Sequence, residues 1–341
     1  MMLDEGRHTS PRLPRPEVLD IAAFRALGFA LHEDEAIWTR EWICVGLEHD
    51  IPDVGDLLPH TIGDHAVHVQ RMPGGALAGR FNKAQHGGCR VVPLQCRQGT
   101  KTPCSFTSCG HSRDREVIKA DELGDATPEM YQYLGLRPER LLPVRVAQAG
   151  PLLFTHLDPG GENLAEVSAA LDLGMPEILS GDTQRLAEFR LEFSANWKLA
   201  GLYIAGIDRL TAQTGLLMAA GETRLGAGVG RAAWLFPNLV LLADGDALCA
   251  VQLQPTALNR TLCRVHVLSG DAGRWRSAIG ARGIDAARNQ SAVDAVVDLR
   301  DRRPMPLVTD PVSSFLCRAV TARLEARPMT GAAAGLAPFL T

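Results

Sequence analysis

The sequence predicts an α+β fold, in which antiparallel sheets carry a smaller number of helices. Two patterns point to this class. Residues 42–81 fall into short β-rich runs separated by turn sequences at 52–55 and 73–75, which is typical of a small antiparallel barrel or sandwich. The second half mixes strand-like runs with amphipathic helical stretches and contains no internal repeat.

In the first half, apolar positions over residues 17–31 recur at helical spacing, and Pro16 suits a first helical turn. The runs WICVGLEHDI, LLPHTIGDHAVHVQRM and ALAGRFN predict strands. Residues 83–115 are rich in cysteine and glycine and show no period. Strands are predicted again in LLPVRVAQAGPLLFTHLD, followed by a helix over 163–171.

In the second half, the run RLAEFRLEFSANWKL alternates like a strand, and the following run GLYIAGIDRLTAQTGLLMAA is expected to be helical despite its glycines. RAAWLFPNLVLLADGDALCAVQLQP and RTLCRVHVLSG predict consecutive strands. Helices are expected over residues 271–289 and 311–324, the second of them amphipathic.

The charge and leader of the chain exclude several classes of partner. The formal net charge is −4 and no basic block occurs, which argues against nucleic acid or an anionic membrane as the main partner. No apolar run reaches the roughly 20 residues of a membrane span, and the start MMLDEGRHTSPRLPRP lacks the apolar core of a signal peptide. We therefore expect a cytoplasmic protein whose cysteines are thiols or metal ligands.

Three stretches are distinctive in combination: EWICVGLEHDIPDVGDLLPHTIGDHAVHVQR with ALAGRFN; YLGLRPERLLPVRVAQAGPLLFTHLDP; and FSANWKL with AWLFPNLVLL and QPTALNRT. Together they resemble the α subunits of Rieske non-heme iron oxygenases, the ring-hydroxylating dioxygenases and their demethylase relatives. The resemblance implies a Rieske-like antiparallel β domain ahead of a helix-grip (START/Bet v1-like) catalytic-type domain. It places a leader and helix at 1–36, the Rieske-like domain at 37–160 and the catalytic-like domain at 161–341.

In that family a C-x-H loop and a later C-x-x-H loop hold a [2Fe–2S] cluster through two thiolates and two imidazoles. In this sequence the first loop has Ala84 in place of the cysteine and keeps His86. The second loop keeps Cys104 and has Thr107 in place of the histidine. Neither alanine nor threonine can replace the lost ligand, so a standard Rieske centre is not expected.

The same region is nevertheless rich in other candidate ligands. Four Cys/His side chains could enclose Zn²⁺, and a non-standard iron–sulfur cluster is the other metal group considered. The remaining alternative is that these cysteines are thiols without metal. The residues of the region that could bind metal are His86, Cys89, Cys96, Cys104, Cys109 and His111. We select His86, Cys96, Cys104 and Cys109 as the candidate ligands.

The resemblance also implies a mononuclear iron held by two histidines and one carboxylate, with the histidines on a helix that follows Asn196-Trp197-Lys198. Residues 199–217 contain no histidine. Arg209 or Leu210 occupies the first ligand position, and Thr214 or Gly215 occupies the second.

Two carboxylates remain near the implied iron site. Asp208 matches the family's bridging carboxylate, although an ion pair with Arg209 or a neighbour is the more ordinary role, and Asp294 matches the third ligand. After residue 156 the 341 residues contain a single histidine, His266. No mononuclear iron is therefore expected, and no catalytic residue is assigned.

These features favour a non-catalytic or regulatory subunit that forms a homo- or hetero-oligomer, a trimer-type ring, with Rieske oxygenase α subunits. One alternative is an active oxidoreductase, an aromatic-ring or small-molecule oxygenase, with a remodelled metal site. Another is a protein that binds a hydrophobic small molecule in the former substrate cavity, lined by residues such as Leu202, Ile204 and Leu216.

Overall fold

The chain has the predicted α+β architecture, with two antiparallel sheets and helices around them. The computed structural model describes residues 18–63, 65–81, 142–180, 184–226, 228–296 and 311–328. Within these ranges, no helix is long and apolar enough to cross a membrane.

The smaller sheet joins strands from both sides of the segment 82–141, in the order β1-β6-β5-β4-β3-β2. Its end strands β1 and β2 lie close together. A Cβ added at Gly46 on β1 would lie 2.6 Å from the Leu58 side chain on β2. The strands are β1 (Ile43–Leu47), β2 (Leu57–Ile62), β3 (His65–Arg71), β4 (Leu77–Phe81), β5 (Pro143–Ala149) and β6 (Leu152–His156).

The larger sheet has the order β7-β13-β12-β11-β10-β9-β8, so each strand from β8 to β12 pairs with the next one along the chain. Its first strand, β7, closes the meander by pairing with β13. The strands are β7 (Ala187–Phe193), β8 (Ile207–Thr214), β9 (Met218–Leu225), β10 (Gly228–Leu235), β11 (Leu239–Asp244), β12 (Ala247–Ala257) and β13 (Arg260–Val267).

Helices flank the sheets, and several match the sequence prediction. The helix predicted over 17–31 is interrupted, since two short helices are followed by a π-helical turn over Asp34–Trp38. The helices are α1 (Ala22–Arg25), α2 (Leu27–Glu33), α3 (Ala165–Gly174), α4 (Trp197–Ala205), α5 (Ala272–Asp294) and α6 (Pro311–Ala326).

The helix expected across residues 201–220 was wrong beyond Ala205. Gly206 takes a left-handed conformation with φ of 50° and ends α4. The chain then forms the β8–β9 hairpin, whose turn contains Gly215 at a φ of 52°. Two positive-φ glycines nine residues apart are strong helix terminators, and here they outweigh the apolar spacing between them.

The two faces of the larger sheet have different neighbours because successive strand residues point to opposite sides. Phe193, Val251 and Val265 lie on the face that carries α4 and α5, in one cluster with Trp197 and Ile279. The opposite face meets α3 and the smaller sheet: its Met218, Leu241 and Ala250 cluster with Val167, Cys44 and Phe154. Both faces are therefore covered.

The contact between α5 and β7 gives a first prediction. A Cβ at Gly283 would lie 2.1 Å from Cε1 of Phe193, whereas a Cβ at Gly280 on the same helix would meet nothing within 4 Å. We expect Gly283→Ala to lower the free energy of unfolding by about 1–3 kcal/mol through overpacking. Gly280→Ala should raise it by about 0.5–1 kcal/mol, because alanine favours helix. Urea unfolding of both variants measures the difference, and equal effects would contradict the close packing.

Candidate functional site

The candidate metal ligands chosen from the sequence, His86, Cys96, Cys104 and Cys109, lie in the segment 82–141, outside the described residues. The expected zinc or iron–sulfur site therefore stays a prediction. The described cysteines are Cys44, Cys249, Cys263 and Cys317, and all four are buried. Burial raises the pKa of the Cys44 thiol to about 12 and that of Cys317 to about 11, so neither is a reactive thiolate at neutral pH.

Helix α4, where the family's iron site would begin, starts at a well-defined cap. The Asn196 side-chain oxygen accepts a hydrogen bond from the Lys198 backbone N–H at 3.1 Å, and its amide donates to the Leu258 carbonyl at 2.7 Å. The backbone N–H of Asn196 donates to Oε1 of Gln290 on α5 at 3.0 Å. The Asn-Trp-Lys triplet is thus a structural joint between α4, α5 and the β12–β13 turn.

A fully buried ion pair follows the cap. Lys198 Nζ donates to both oxygens of Glu33, at 2.7 and 3.0 Å, and Trp197 Nε1 donates to Glu33 at 3.4 Å. Lys198 also lies over the rings of Phe24 and Phe29, at 5.5 Å from each centroid. Loss of hydration raises the pKa of Glu33 and lowers that of Lys198. The pair joins α2 to α4 and leaves no open face for a ligand.

The residues at the family's two histidine positions do not lie on a helix. Arg209, Leu210 and Thr214 belong to strand β8, and Gly215 lies in its turn. Arg209 forms an exposed ion pair with Glu222 on β9. Asp208 also pairs with its neighbouring strand, through Arg224 at 3.4 Å, as expected of an ordinary surface carboxylate.

His266 cannot take the place of the missing histidines, because it lies on the wrong side of the larger sheet. Its neighbours Val265 and Val267 face the α4 side, in one cluster with Trp197 and Ala200. His266 alternates with them on β13 and therefore points toward the smaller sheet. The sheet itself separates its imidazole from α4.

Asp294, the residue that matches the third iron ligand, is occupied by hydrogen bonds at the end of α5. One oxygen accepts from Gln290 Nε2 at 2.9 Å and the other from Asn259 Nδ2 at 3.3 Å. Asp294 does not lie close enough to two other His, Cys, Asp or Glu side chains, among the described residues, to share a metal ion with them. Asp294 thereby orients Gln290, whose side-chain oxygen accepts the hydrogen bond from Asn196 that links α5 to α4.

Of the side chains proposed to line a hydrophobic cavity, Leu202 and Ile204 are buried in the main core and Leu216 packs partly against it. Binding of an apolar small molecule therefore stays a prediction. A cleft does exist elsewhere, between the two sheets, and its lining is mostly polar: Asp50, Leu58, Glu188, Arg190, Gln252, Arg264 and His266. We call it the inter-sheet cleft.

Three side chains of the inter-sheet cleft offer ligand atoms that all lie within 4.8 Å of one another: Asp50, Glu188 and His266. Asp50 ends the short 3₁₀ turn after β1, whereas Glu188 and His266 are paired across β7 and β13. Sequence reasoning missed this group, because its members are up to 216 residues apart (266 − 50) and belong to no motif. The sequence feature that points to the group is the polar side chains at alternating positions of β7 and β13.

Arginines neutralise the carboxylates of the cleft. Arg185 donates to Asp50 and, at 3.2 Å, to Glu188, while Arg190 binds the other oxygen of Glu188 at 3.2 Å. Asp50 also accepts a hydrogen bond from the Leu47 backbone N–H at 2.8 Å. His266 differs from them, because neither ring nitrogen has a hydrogen-bond partner although the residue is only 2% exposed. Burial lowers the pKa of His266, so the imidazole is neutral at pH 7.

No protein-family model matches the chain. It is 28% identical over 195 residues to the glycine betaine monooxygenase oxygenase subunit of Chromohalobacter salexigens, across 57% of this chain and 40% of the relative. It is 30% identical over 179 residues to the biphenyl 2,3-dioxygenase subunit alpha of Rhodococcus jostii, across 50% and 38%. The chain spans about two fifths of the length of these curated relatives.

Solved structures show the same fold over nearly the whole chain. A quaternary ammonium Rieske monooxygenase in complex with gamma-butyrobetaine has a TM-score of 0.63 at 14% identity, covering 92% of this chain and 99% of that chain. Naphthalene 1,2-dioxygenase with indole bound has a TM-score of 0.63 at 14% identity, covering 90% and 92%. The chain is similar in sequence to curated Rieske oxygenase α subunits and shares the fold of their solved relatives.

A Rieske oxygenase needs a mononuclear iron, and the described residues around α4 of this chain do not fit one. The chain turns into β8 where ligand histidines would stand, His266 lies across the sheet, and Asp294 is already hydrogen bonded. The segments matched to the loops of the Rieske cluster lie outside the described residues, so the loss of cluster ligands stays a prediction from the sequence.

Proposed function

We propose that this Rieske oxygenase α-subunit-like protein is a non-catalytic or regulatory subunit. The observation that supports the proposal most directly is the end of α4 at Gly206, after which exposed strand residues replace the helix expected to carry histidines. A subunit without the mononuclear iron lacks the group that activates oxygen in this family. The fold that it shares with those oxygenases would then serve assembly rather than chemistry.

We infer the partner class by analogy with the solved relatives. One solved quaternary ammonium Rieske monooxygenase is described as revealing inter-subunit electron transfer. We propose that this chain assembles in a similar way, as a homo- or hetero-oligomer with α subunits in a trimer-type ring. The proposed division into a Rieske-like unit at 37–160 and a catalytic-like unit at 161–341 would give it the two surfaces for such a ring.

Iron content tests the proposal directly. We expect the full chain, purified without chelators, to hold less than one mononuclear iron per chain and to give no rhombic Rieske-type EPR signal after reduction, because both ligand sets are incomplete. Elemental analysis and EPR of the same sample measure the two centres separately. A quaternary ammonium or ring-hydroxylating oxygenase α subunit, prepared in parallel, is the positive control.

Stoichiometric iron with the rhombic signal would replace the proposal with its alternative, an active oxygenase with a remodelled metal site. The partner role has a separate test, in which the tagged chain is purified from its native source and the co-purifying proteins are identified. A conventional α subunit in the complex supports hetero-assembly, and light scattering at the mass of three copies supports a homomeric ring. A monomer that retains no α subunit would contradict the partner role.

A further inference from the structure

The imidazole of His266 is the least explained polar group of the described structure. It is 2% exposed, it lines the inter-sheet cleft, and both of its ring nitrogens lack a hydrogen-bond partner. A buried polar group without a partner is costly to the folded state, so native proteins keep few of them. A ligand that accepts the lone pair of a neutral imidazole would satisfy it.

The surroundings of His266 define the chemistry of that ligand. The carboxylates of Asp50 and Glu188 bring oxygen atoms to within 4.8 Å of an imidazole nitrogen and of each other. Asp50 is 4% exposed, whereas Glu188 lies at the mouth of the cleft and is reached by water. One imidazole nitrogen and two carboxylate oxygens form a ligand set suited to Zn²⁺, which accepts histidine nitrogen and carboxylate oxygen in tetrahedral geometry.

We propose that Asp50, Glu188 and His266 bind one divalent cation, Zn²⁺ in the first instance, in the inter-sheet cleft. The ligands come from the turn after β1 and from β7 and β13, so the ion would join the smaller sheet to the larger one. Water would complete the coordination from the open side at Glu188. The site is separate from both metal centres of the family and does not depend on the proposed function.

Arg185 explains how the carboxylates remain stable without the cation. Its guanidinium binds both Asp50 and Glu188 and so places one positive charge between them. The Arg185 side chain is 22% exposed and lies at the edge of the cleft, so it can turn into water when a doubly charged ion enters. Arg185 and the cation therefore compete for the same two carboxylates.

Titration of the full chain with Zn²⁺ in a calorimeter tests the site. Glu188→Gln removes a ligand at the exposed end of the cleft and is expected to weaken binding of one Zn²⁺ at least about 10-fold. Glu192→Gln removes an exposed carboxylate on the same face of β7, four residues beyond Glu188, and is the matched control that should bind as the wild type does. Arg185→Gln removes the competing charge and should strengthen binding, again about 10-fold.

The cysteine-rich segment 82–141 could bind zinc as well, so the experiment must separate the two sites. Co²⁺ in place of Zn²⁺ does so, because thiolate ligands give an intense sulfur-to-cobalt band that nitrogen and oxygen ligands do not. We expect a Co²⁺ equivalent without that band, lost in Glu188→Gln. The proposal is overturned if Zn²⁺ affinity is unchanged in both Glu188→Gln and Arg185→Gln, or if all bound Co²⁺ shows thiolate ligation.

Discussion

Lys198→Met is expected to lower the free energy of unfolding by about 3–5 kcal/mol, the largest effect of any single substitution considered for this chain. The substitution leaves the Glu33 carboxylate in a site that is 2% exposed, with only the Trp197 N–H as a remaining partner. An isolated buried charge must either be neutralised or draw in water, and both disrupt the contact of α2 with α4. Urea unfolding of wild type and variant at pH 7 measures the loss.

An exposed ion pair provides the control for this prediction. Arg288 and Asp285 form an i,i+3 pair on the outer face of α5, with side chains 77% and 53% exposed. Arg288→Met should change the stability by no more than about 0.5 kcal/mol. The double variant Glu33→Gln/Lys198→Met should recover part of the loss, since it leaves no buried charge. If Lys198→Met costs no more than Arg288→Met, the pair does not exist in solution.

Acid is expected to destabilise the protein steeply below pH 6.5, because the smaller sheet buries neutral histidines. Burial, followed by the charge of Arg80, lowers the pKa of His68 to about 3. Burial and the charge of Arg264 likewise lower the pKa of His60 well below its usual 6.5. The unfolded chain therefore takes up these protons first. The stabilisation is fully present above pH 6.5 and is lost as the pH falls toward the folded-state pKa values.

For His68 alone, the loss between pH 7.5 and pH 5.0 is about 2 kcal/mol, at roughly 1.4 kcal/mol per pH unit below 6.5. Urea unfolding at several pH values measures the free energy of unfolding against pH. His68→Gln should reduce its loss between pH 7.5 and pH 5.0 by about 2 kcal/mol. If His68→Gln leaves the pH dependence of the stability unchanged, burial does not lower the pKa of this imidazole and the prediction is wrong.

Much of the fold could be predicted from the sequence because its strands carry local signals. Alternation and turn residues predicted β10 to β13, and Pro311 predicted the start of α6, as the structure has them. The helix expected over 201–220 failed for a physical reason. Its apolar spacing fits a helix, but the β8–β9 pairing buries Met218 and Ala219 more completely, and that gain depends on residues far along the chain.

The cleft could not be predicted from the sequence, because no local pattern joins its members. Glu188 and His266 meet through the register of β7 on β13, and Asp50 reaches them only because the 3₁₀ turn after β1 lies against that edge. By contrast, the lack of histidine over residues 199–217 is a property of composition, which the sequence states outright. Absences of this kind are predicted more safely than assemblies of distant side chains.

The ion pair between Glu33 and Lys198 also has a consequence for biosynthesis. The two residues are 165 positions apart in the chain, so the carboxylate leaves the ribosome long before its ammonium partner is made. At roughly 5–20 residues per second, that delay lasts on the order of 10–30 s. During this time the charge of Glu33 is more stable in water than buried, so packing of α2 in its final position is unfavourable. Helix α2 is therefore expected to be among the last of the described elements to reach its final place.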